Sequence, residues 1–408
     1  MCPNRFDNYV SQWKRLEMNP KILFSNQILK KKLNLQMTLV ATVLKLQPSP
    51  AILEDEDEKK YYWSVVLHYW KLPPSFHHFP GPNPISLERS YLHRLKNEDF
   101  LAALKTDGVR YLLVLTTKPN STEPISLMID RALNMYEIEI WANEEYFYNG
   151  CLLDGELVWS NAEELQFIVF DVVLFKGINC IEMNYRDRLE VIHDHVLCVD
   201  ENQEDETIEK IISEEDKFCA RNNKYNLQLF AKMCVSKQSL DHLWQNKTTC
   251  SHRNDGLILT LNSTNVHTGT SKDVLKWKPS HSIDIRCFFN NNKWTYFAND
   301  NSSDEEIDIT TSIGSYTVSL DTQSKLLNVL KRKISFFVEC LILVSDDIVT
   351  LIPERERTDK RSANTIKTIE ATIRNAQEKI EIEELFEIVS CNSSLKTENV
   401  DITMESNN

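Results

Sequence analysis

No two cysteines in this chain sit at CxxC spacing, so it offers neither a zinc knuckle nor a dithiol redox loop. The ten thiols, at positions 2, 151, 180, 198, 219, 234, 250, 287, 340 and 391, are scattered, which points to free cysteines in a reducing compartment. The N-terminus lacks the apolar stretch of a signal peptide. The longest apolar run, residues 336–344, is too short to span a bilayer and contains Glu339. A basic excess is missing as well: 46 lysines and arginines against 60 carboxylates give a formal net charge of −14. That balance excludes a chain that coats nucleic acid over its whole surface, and leaves a local cationic cleft as the place for any such contact. No internal repeat is present. The expectation is an intracellular globular protein without a membrane partner. Its 408 residues, 42% hydrophobic and 26% charged, are enough for two or three domains.

Residues 1–75 carry no catalytic motif and read as an N-terminal extension. Within it, the charge run Asp55-Glu56-Asp57-Glu58-Lys59-Lys60 predicts a solvated loop, and the dense apolar stretch 61–70 a helix docking on the main domain. The prolines of Phe79-Pro80-Gly81-Pro82-Asn83-Pro84 forbid both a helix and a central strand. Over 76–282, β-rich runs at 111–116, 125–129, 137–141, 152–159 and 167–174 alternate with turns, with helices near 188–195 and 207–218. That pattern predicts a mainly antiparallel β domain with flanking helices, an α+β class. Residues 283–361 read as a second, smaller β domain. Its five runs at 283–289, 294–298, 315–320, 335–344 and 348–351 suit an OB-fold barrel, with an exposed acidic loop at 300–308. Ile366, Ile369, Ile373, Ala376 and Ile380 fall at helical spacing and predict one amphipathic helix over 362–388, followed by a disordered polar tail, 389–408.

Chemistry concentrates in an ordered set of short segments. Lys105-Thr106-Asp107-Gly108-Val109-Arg110 comes first, then Asp154-Gly155-Glu156-Leu157-Val158 and Phe167-Ile168-Val169-Phe170-Asp171. Asp255-Gly256-Leu257-Ile258-Leu259, Leu275-Lys276-Trp277-Lys278-Pro279 and Arg357-Thr358-Asp359-Lys360 complete it. Each alone is weak, since a Lys or an Asp-Gly pair is usually a solvated group or a plain hairpin turn. Lys105 is the candidate nucleophile. An ammonium cannot attack phosphorus, and the neighbouring cations Lys276 and Lys278, with a divalent metal, would favour loss of its proton. Glu156 and Asp255 are the candidate ligands for Mg²⁺ or Mn²⁺. Phe170, in an apolar strand, reads from sequence alone as core packing.

The ordered set resembles the covalent nucleotidyltransferase superfamily of DNA ligases, RNA ligases and mRNA capping guanylyltransferases. Phe79-Pro80-Gly81 with Pro84-Ile85-Ser86, Met128-Ile129-Asp130-Arg131, Leu152 through Val158, and Leu275 through Pro279 followed by Ile283-Asp284 look most like the capping guanylyltransferases. The resemblance covers about residues 76–388. One departure is Ala363, where the family usually has proline before Asn364; it removes no charged group.

The resemblance implies a nucleotidyltransferase domain over 76–282 followed by an OB-fold domain ending in the Arg-Thr-Asp-Lys motif. Lys105 would take GMP from GTP as a lysyl–GMP phosphoramidate and pass it to the 5′-diphosphate end of RNA, making the GpppN cap. Phe170 would stack on guanine and Arg110 would contact the ribose. Arg131 matches a recurring segment of the family. Lys276 and Lys278 would attend the phosphates, and Arg357 and Lys360 would hold the β and γ phosphates from a second domain that closes over the nucleotide. Residues 1–75 carry no phosphatase loop, so the RNA triphosphatase and the cap methyltransferase are expected on separate polypeptides. A phosphorylated RNA polymerase II tail is a further implied partner, and the nucleus, or the virus-infected cell compartment, the implied location. An ATP-dependent polynucleotide ligase using Lys105, or an inactive platform for capping partners, are the competing readings.

Overall fold

The computed structural model describes residues 43, 46, 49–140, 142–162, 164–195, 227–303, 305–322, 324–333, 335–357, 360 and 362–390. The helix expected over 207–218 and most of the polar tail lie outside them. In chain order the elements begin with β1 (Ala51–Ile52), α1 (Glu56–Tyr69), β2 (Pro82–Ser86), α2 (Leu92–Asn97), β3 (Phe100–Thr106), β4 (Val109–Thr117) and β5 (Pro124–Asp130). Next come β6 (Met135–Ile138), α3 (Glu144–Tyr148), β7 (Cys151–Trp159), β8 (Leu165–Phe175), β9 (Ile178–Asn179), α4 (Tyr185–His195), β10 (Gln228–Ala231) and β11 (Val235–Ser236). Then follow α5 (Leu240–Gln245), β12 (Asn254–Leu261), β13 (Gly269–Trp277), β14 (Ser282–Asn290), β15 (Lys293–Asn299), β16 (Glu306–Asp308), β17 (Ser312–Ile313) and β18 (Tyr316–Leu320). The chain closes with α6 (Lys325–Leu330), β19 (Phe336–Ser345), β20 (Ile348–Glu356), α7 (Ile366–Glu378) and α8 (Ile382–Ser390).

The strands form three sheets, in the orders β1-β6-β5-β4-β7-β8-β10 with β9 beside β8, β11-β3-β12-β13-β2, and β16-β15-β14-β19-β20-β18-β17. Pairing is mainly antiparallel, with parallel contacts at β8–β10, β13–β2 and β18–β20. The fold is thus α+β, as the alternation of short β runs predicts.

Side-chain alternation along β4 shows how the first two sheets stack. Tyr111, Leu113 and Leu115 point into one core, while Leu112 and Val114 point into another with Tyr62 and Val66 of α1 and Trp70 at its C-terminal end. Leu101 and Ala103 of β3 enter the same core as Tyr111 and Leu113, so that core lies between the two sheets. The opposite face of β3, with Phe100, Ala102 and Leu104, is covered by Leu95 of α2, Leu240 and Leu243 of α5, and Leu385 and Val389 of α8. Helix, sheet, sheet and helices therefore form successive layers.

Three expectations change. The charge run 55–60 is the start of α1 rather than a loop: the Asp55 side chain accepts from the Asp57 and Glu58 amides, both at 2.9 Å. Carboxylates at that end of a helix satisfy unpaired N–H groups and suit the dipole. The 362–388 helix is two helices, because Lys379 adopts the left-handed conformation (φ 44°) and stops α7. The predicted apolar stripe divides at that point: Ile369 and Ile373 pack on the third sheet, Ile380 on the second. The third sheet has seven strands instead of five. The proline-rich segment is strand β2, at the edge of its sheet, where a missing N–H does no harm.

Among the described residues no helix is long and apolar enough to cross a membrane. The described cysteines 151, 180, 234, 250, 287 and 340 are free. Since Leu385 is fully buried between α8 and the second sheet, Leu385→Ala should cost about 2–5 kcal/mol through lost burial and an unfilled cavity. Glu383→Ala, on the exposed side of the same helix, should change stability by less than about 0.5 kcal/mol. Denaturant midpoints of the two variants check this, and similar midpoints would mean that α8 is not docked.

Candidate functional site

Strand β3 ends in the second sheet and β4 begins in the first, so Asp107 and Gly108 carry the chain between the two. A Cβ on Gly108 would lie 2.6 Å from Val158 Cγ1 and 2.9 Å from the Leu157 carbonyl oxygen, which reserves that turn for glycine. A cavity of about 440 Å³ opens between the sheets at this crossing. Its walls bring together six of the residues singled out from sequence: Lys105, Arg110, Arg131, Glu156, Phe170 and Lys276.

The second sheet aims Asp255 at Lys105 through a β-bulge. Thr106 pairs with Asn254 and Leu104 with Leu257, so Asp255 and Gly256 together face Lys105. Gly256 is required there, because a Cβ would sit 2.0 Å from the Trp277 carbonyl oxygen. The Lys105 ammonium donates to Asp255 Oδ1 at 2.7 Å, and Lys278 Nζ lies 2.6 Å from Oδ2. Burial pushes the Asp255 carboxyl up, but the two lysines outweigh it and hold it below the usual carboxylate range. Lys276 is pushed down, first by burial and then by Lys278, Lys105 and Arg131.

On the first sheet Arg110 makes a bidentate pair with Asp154, at 2.8 and 2.5 Å, and donates to the Pro82 carbonyl at 2.6 Å. Its guanidinium lies 5.3 Å from the ring centres of both Phe79 and Phe170. Burial pushes the Asp154 carboxyl up, against the attraction of Arg110. Burial pushes the Arg110 guanidinium down, but there the same attraction outweighs it and raises the group above its ordinary value. Arg131 reaches Asn83 of β2 at 3.3 Å.

Three residues of this site escaped the sequence reading. Lys232 lines the cavity, is buried, and donates to the Thr106 hydroxyl. Burial drives Lys232 down and Glu156 up, each against the attraction of the other. Arg188, 1% exposed, binds Asp171 at 2.6 and 3.2 Å and the carbonyls of Met183 and Thr264 at 2.6 and 2.8 Å. The Tyr185 hydroxyl donates to the Phe170 carbonyl at 3.1 Å. Arg188 and Tyr185 thus fix the strand that presents Phe170. A lysine in Phe230-Ala231-Lys232-Met233 and an arginine in a helix carry no local signal; only their burial identifies them.

Arg357 and Lys360 are not on the cavity wall. Both are held on the third sheet by Asp284 of β14, Arg357 Nη1 at 2.8 Å from Oδ1 and Lys360 Nζ at 3.2 Å from Oδ2. Asn364 stitches the same position: the Asp284 amide donates to Asn364 Oδ1 at 2.7 Å, and the Asn364 amide to the Asp284 carbonyl at 2.8 Å. Ala363, beside it, is buried.

The cavity walls carry Lys105, Arg110, Arg131, Arg188, Lys232 and Lys276 against Glu156 and Asp171. That excess suits a polyphosphate despite the chain's net charge of −14. Among the described residues no three His, Cys, Asp or Glu side chains cluster as a metal-binding group. Glu156 and Asp255, the latter engaged by Lys105 and Lys278, are the carboxylates that could serve a hard divalent cation, with water and substrate phosphate completing its shell.

Residues 42–280 match the family described as "mRNA capping enzyme, catalytic domain". Among curated relatives, the Schizosaccharomyces pombe mRNA-capping enzyme subunit alpha is 28% identical over 244 residues, covering 56% of this chain and 57% of that one. The Danio rerio mRNA-capping enzyme is 24% identical over 316 residues, covering 76% of this chain and 49% of that one. The chain spans about half the length of the curated relatives it matches. A solved structure, "mycobacterial DNA ligase D complexed with ATP and MES", is similar at 11% identity and a TM-score of 0.34, over 69% of this chain and 94% of that one.

Behind Lys232 a smaller cavity of about 160 Å³ is bordered by Cys250, Ser251 and His252. Burial, and then the Lys232 charge, push the His252 ring down to about 4 from 6.5. The unfolded chain therefore takes up this proton first. The contribution to stability is complete above about pH 6.5 and is lost as pH falls toward 4, by roughly 1–2 kcal/mol after allowance for partial exposure. His252→Gln should flatten the dependence of the urea midpoint on pH across that window. A ring that titrates near 6.5 in the folded protein by NMR would refute the assignment.

Proposed function

The chain belongs to the mRNA capping enzyme family, and we propose that it is a GTP-dependent mRNA guanylyltransferase with Lys105 as its nucleophile. One observation carries this reading: Lys105 stands on the wall of a cation-rich cavity, 2.7 Å from a carboxylate that also binds Lys278.

In the first half-reaction the neutral Lys105 amine attacks the α phosphorus of GTP. The N–P bond forms, the P–O bond to the β phosphate breaks, pyrophosphate leaves and the Nζ proton is released. In the second, a terminal oxygen of the RNA 5′-diphosphate attacks the same phosphorus. The N–P bond then breaks, Lys105 regains a proton and the GpppN cap departs. Lys276 and Lys278 are assigned to the α phosphate, where charge builds in both steps. Phe170 and Arg110 receive the base and ribose, and Arg131 borders the same pocket. Lys105 can act only after leaving Asp255 and losing its proton, since the bound ammonium has no free lone pair. Glu156 and Asp255 would hold the Mg²⁺ or Mn²⁺, which when bound offsets phosphate charge.

Arg357 and Lys360 are assigned to the β and γ phosphates. The third sheet, read as an OB-type domain, would have to swing toward the cavity to deliver them from Asp284. A separate RNA triphosphatase, a cap methyltransferase and the phosphorylated RNA polymerase II tail would be the partners, in the nucleus or a virus-infected cell compartment.

Incubation with α-labelled GTP and Mg²⁺ should give a denaturation-stable labelled band, and ATP should not. Labelling by ATP alone would reassign the chain to a polynucleotide ligase, and labelling by neither to a platform. Lys105→Ala and Lys105→Arg should both abolish the band, because a guanidinium stays protonated. Arg357→Ala and Lys360→Ala should block adduct formation yet spare transfer from pre-formed adduct; equal loss of both steps would refute the delivery role.

A further inference from the structure

The chain crosses between the two-sheet body and the third sheet twice, over residues 278–281 after β13 and over 379–381 between α7 and α8. α7 belongs to the third-sheet core and α8 to the body. The two crossings meet at one buried hydrogen bond, from Trp277 Nε1–H to the Ile380 carbonyl at 2.8 Å. Trp277 is fixed on the body side: it is buried in the core that holds Leu385 and Val389, and its ring stands edge-on to Trp244 at 5.2 Å.

Arg89, just beyond β2, grips the return crossing from the surface. Its amide donates to Glu378 Oε2 at 2.7 Å and its Nε to the Glu378 carbonyl at 3.0 Å. The guanidinium also binds Glu384 of α8 at 2.7 and 3.0 Å. One arginine thereby ties the end of α7 and the start of α8 to the segment following β2. Between them Lys379, at φ 44°, is the residue where the helix direction breaks.

We infer that the third sheet turns about the Trp277–Ile380 contact, and that Trp277 and Arg89 are positioning residues for nucleotide transfer to Lys105. The inference rests on the guanylyltransferase reading above and adds the pivot through which Arg357 and Lys360 are delivered. A rigid body carried on two chain crossings has a defined arc only if those crossings are tied together. With the tie loosened, the sheet samples orientations in which the two cations miss the phosphates, and adduct formation slows without any change at the reacting atoms. Transfer of GMP to RNA, which follows release of pyrophosphate, does not draw on that arc.

The test uses the full chain with Trp277→Phe, which removes the donor and keeps an aromatic, though smaller, ring, and Arg89→Ala, which acts from the surface if the core change harms folding. Each should slow lysyl–GMP formation about 10-fold, the ratio carried by a lost buried hydrogen bond or clamp. Transfer from isolated adduct should be unchanged, and in an Arg357→Ala background neither change should slow adduct formation further. Equal slowing of both steps, or a full effect persisting in the Arg357→Ala background, would reduce the two residues to structural supports. Hydrogen exchange reads the pivot without chemistry: amides at 379–381 should exchange faster in Trp277→Phe. Unchanged exchange there overturns the inference whatever the fate of the adduct. Absence of adduct in the unaltered protein overturns the guanylyltransferase reading alone.

Discussion

Asp255 accepts from Lys105 and Lys278 at once, 2.7 and 2.6 Å away, and the rest of the site is arranged around that bridge. Two ammonium groups so close together would repel strongly in a partly buried cleft without a carboxylate between them. The carboxylate is in place because β12 bulges opposite Lys105, and the bulge is tolerated because Gly256 lets the backbone approach the Trp277 carbonyl. Segments far apart in sequence are thus joined at one point by backbone geometry. The same strand β13 that presents Lys276 to the cavity ends at Trp277, so the phosphate wall and the proposed pivot are adjacent residues.

The sequence made the cavity wall legible because its residues sit in short motifs with a fixed order. Lys105, Arg110, Glu156, Phe170 and Lys276 each adjoin a glycine, a β run or a proline that marks a turn or strand end. Lys232 and Arg188 are different. Their neighbours are ordinary apolar or polar residues, and their importance comes from partners elsewhere in the chain: Thr106 and Asp171. A lysine that is buried looks the same in sequence as one that is solvated.

Among secondary elements, five strands of the first sheet (β4 to β8) and five of the third (β14, β15, β18, β19 and β20) were readable from β-branched and aromatic runs. The short β1, β9, β10, β16 and β17 were not. Nor was the end of α7. Helices usually announce such a stop with glycine or proline, whereas Lys379 adopts a positive φ without either. The apolar stripe continues smoothly across the break because Ile373 and Ile380 are both buried, although against different sheets. Periodicity records that a residue is covered, but not by what.

If Arg357 and Lys360 act as proposed, their position bears on why the cations would be divided between two bodies. If every cation were fixed around the cavity, the site would hold pyrophosphate as tightly as it holds the triphosphate, and product would leave slowly. Binding that serves ground state and product alike does not speed the chemistry. On the proposed reading, two cations placed on a separate sheet and paired with Asp284 would have an attraction conditional on closure. Asp284 compensates the charge of both, so neither is left as a partly buried ion without a counter-charge. Under the same reading, opening would return both cations to Asp284 and free the leaving group, while Lys276 and Lys278 would stay with the phosphorus that is attacked a second time.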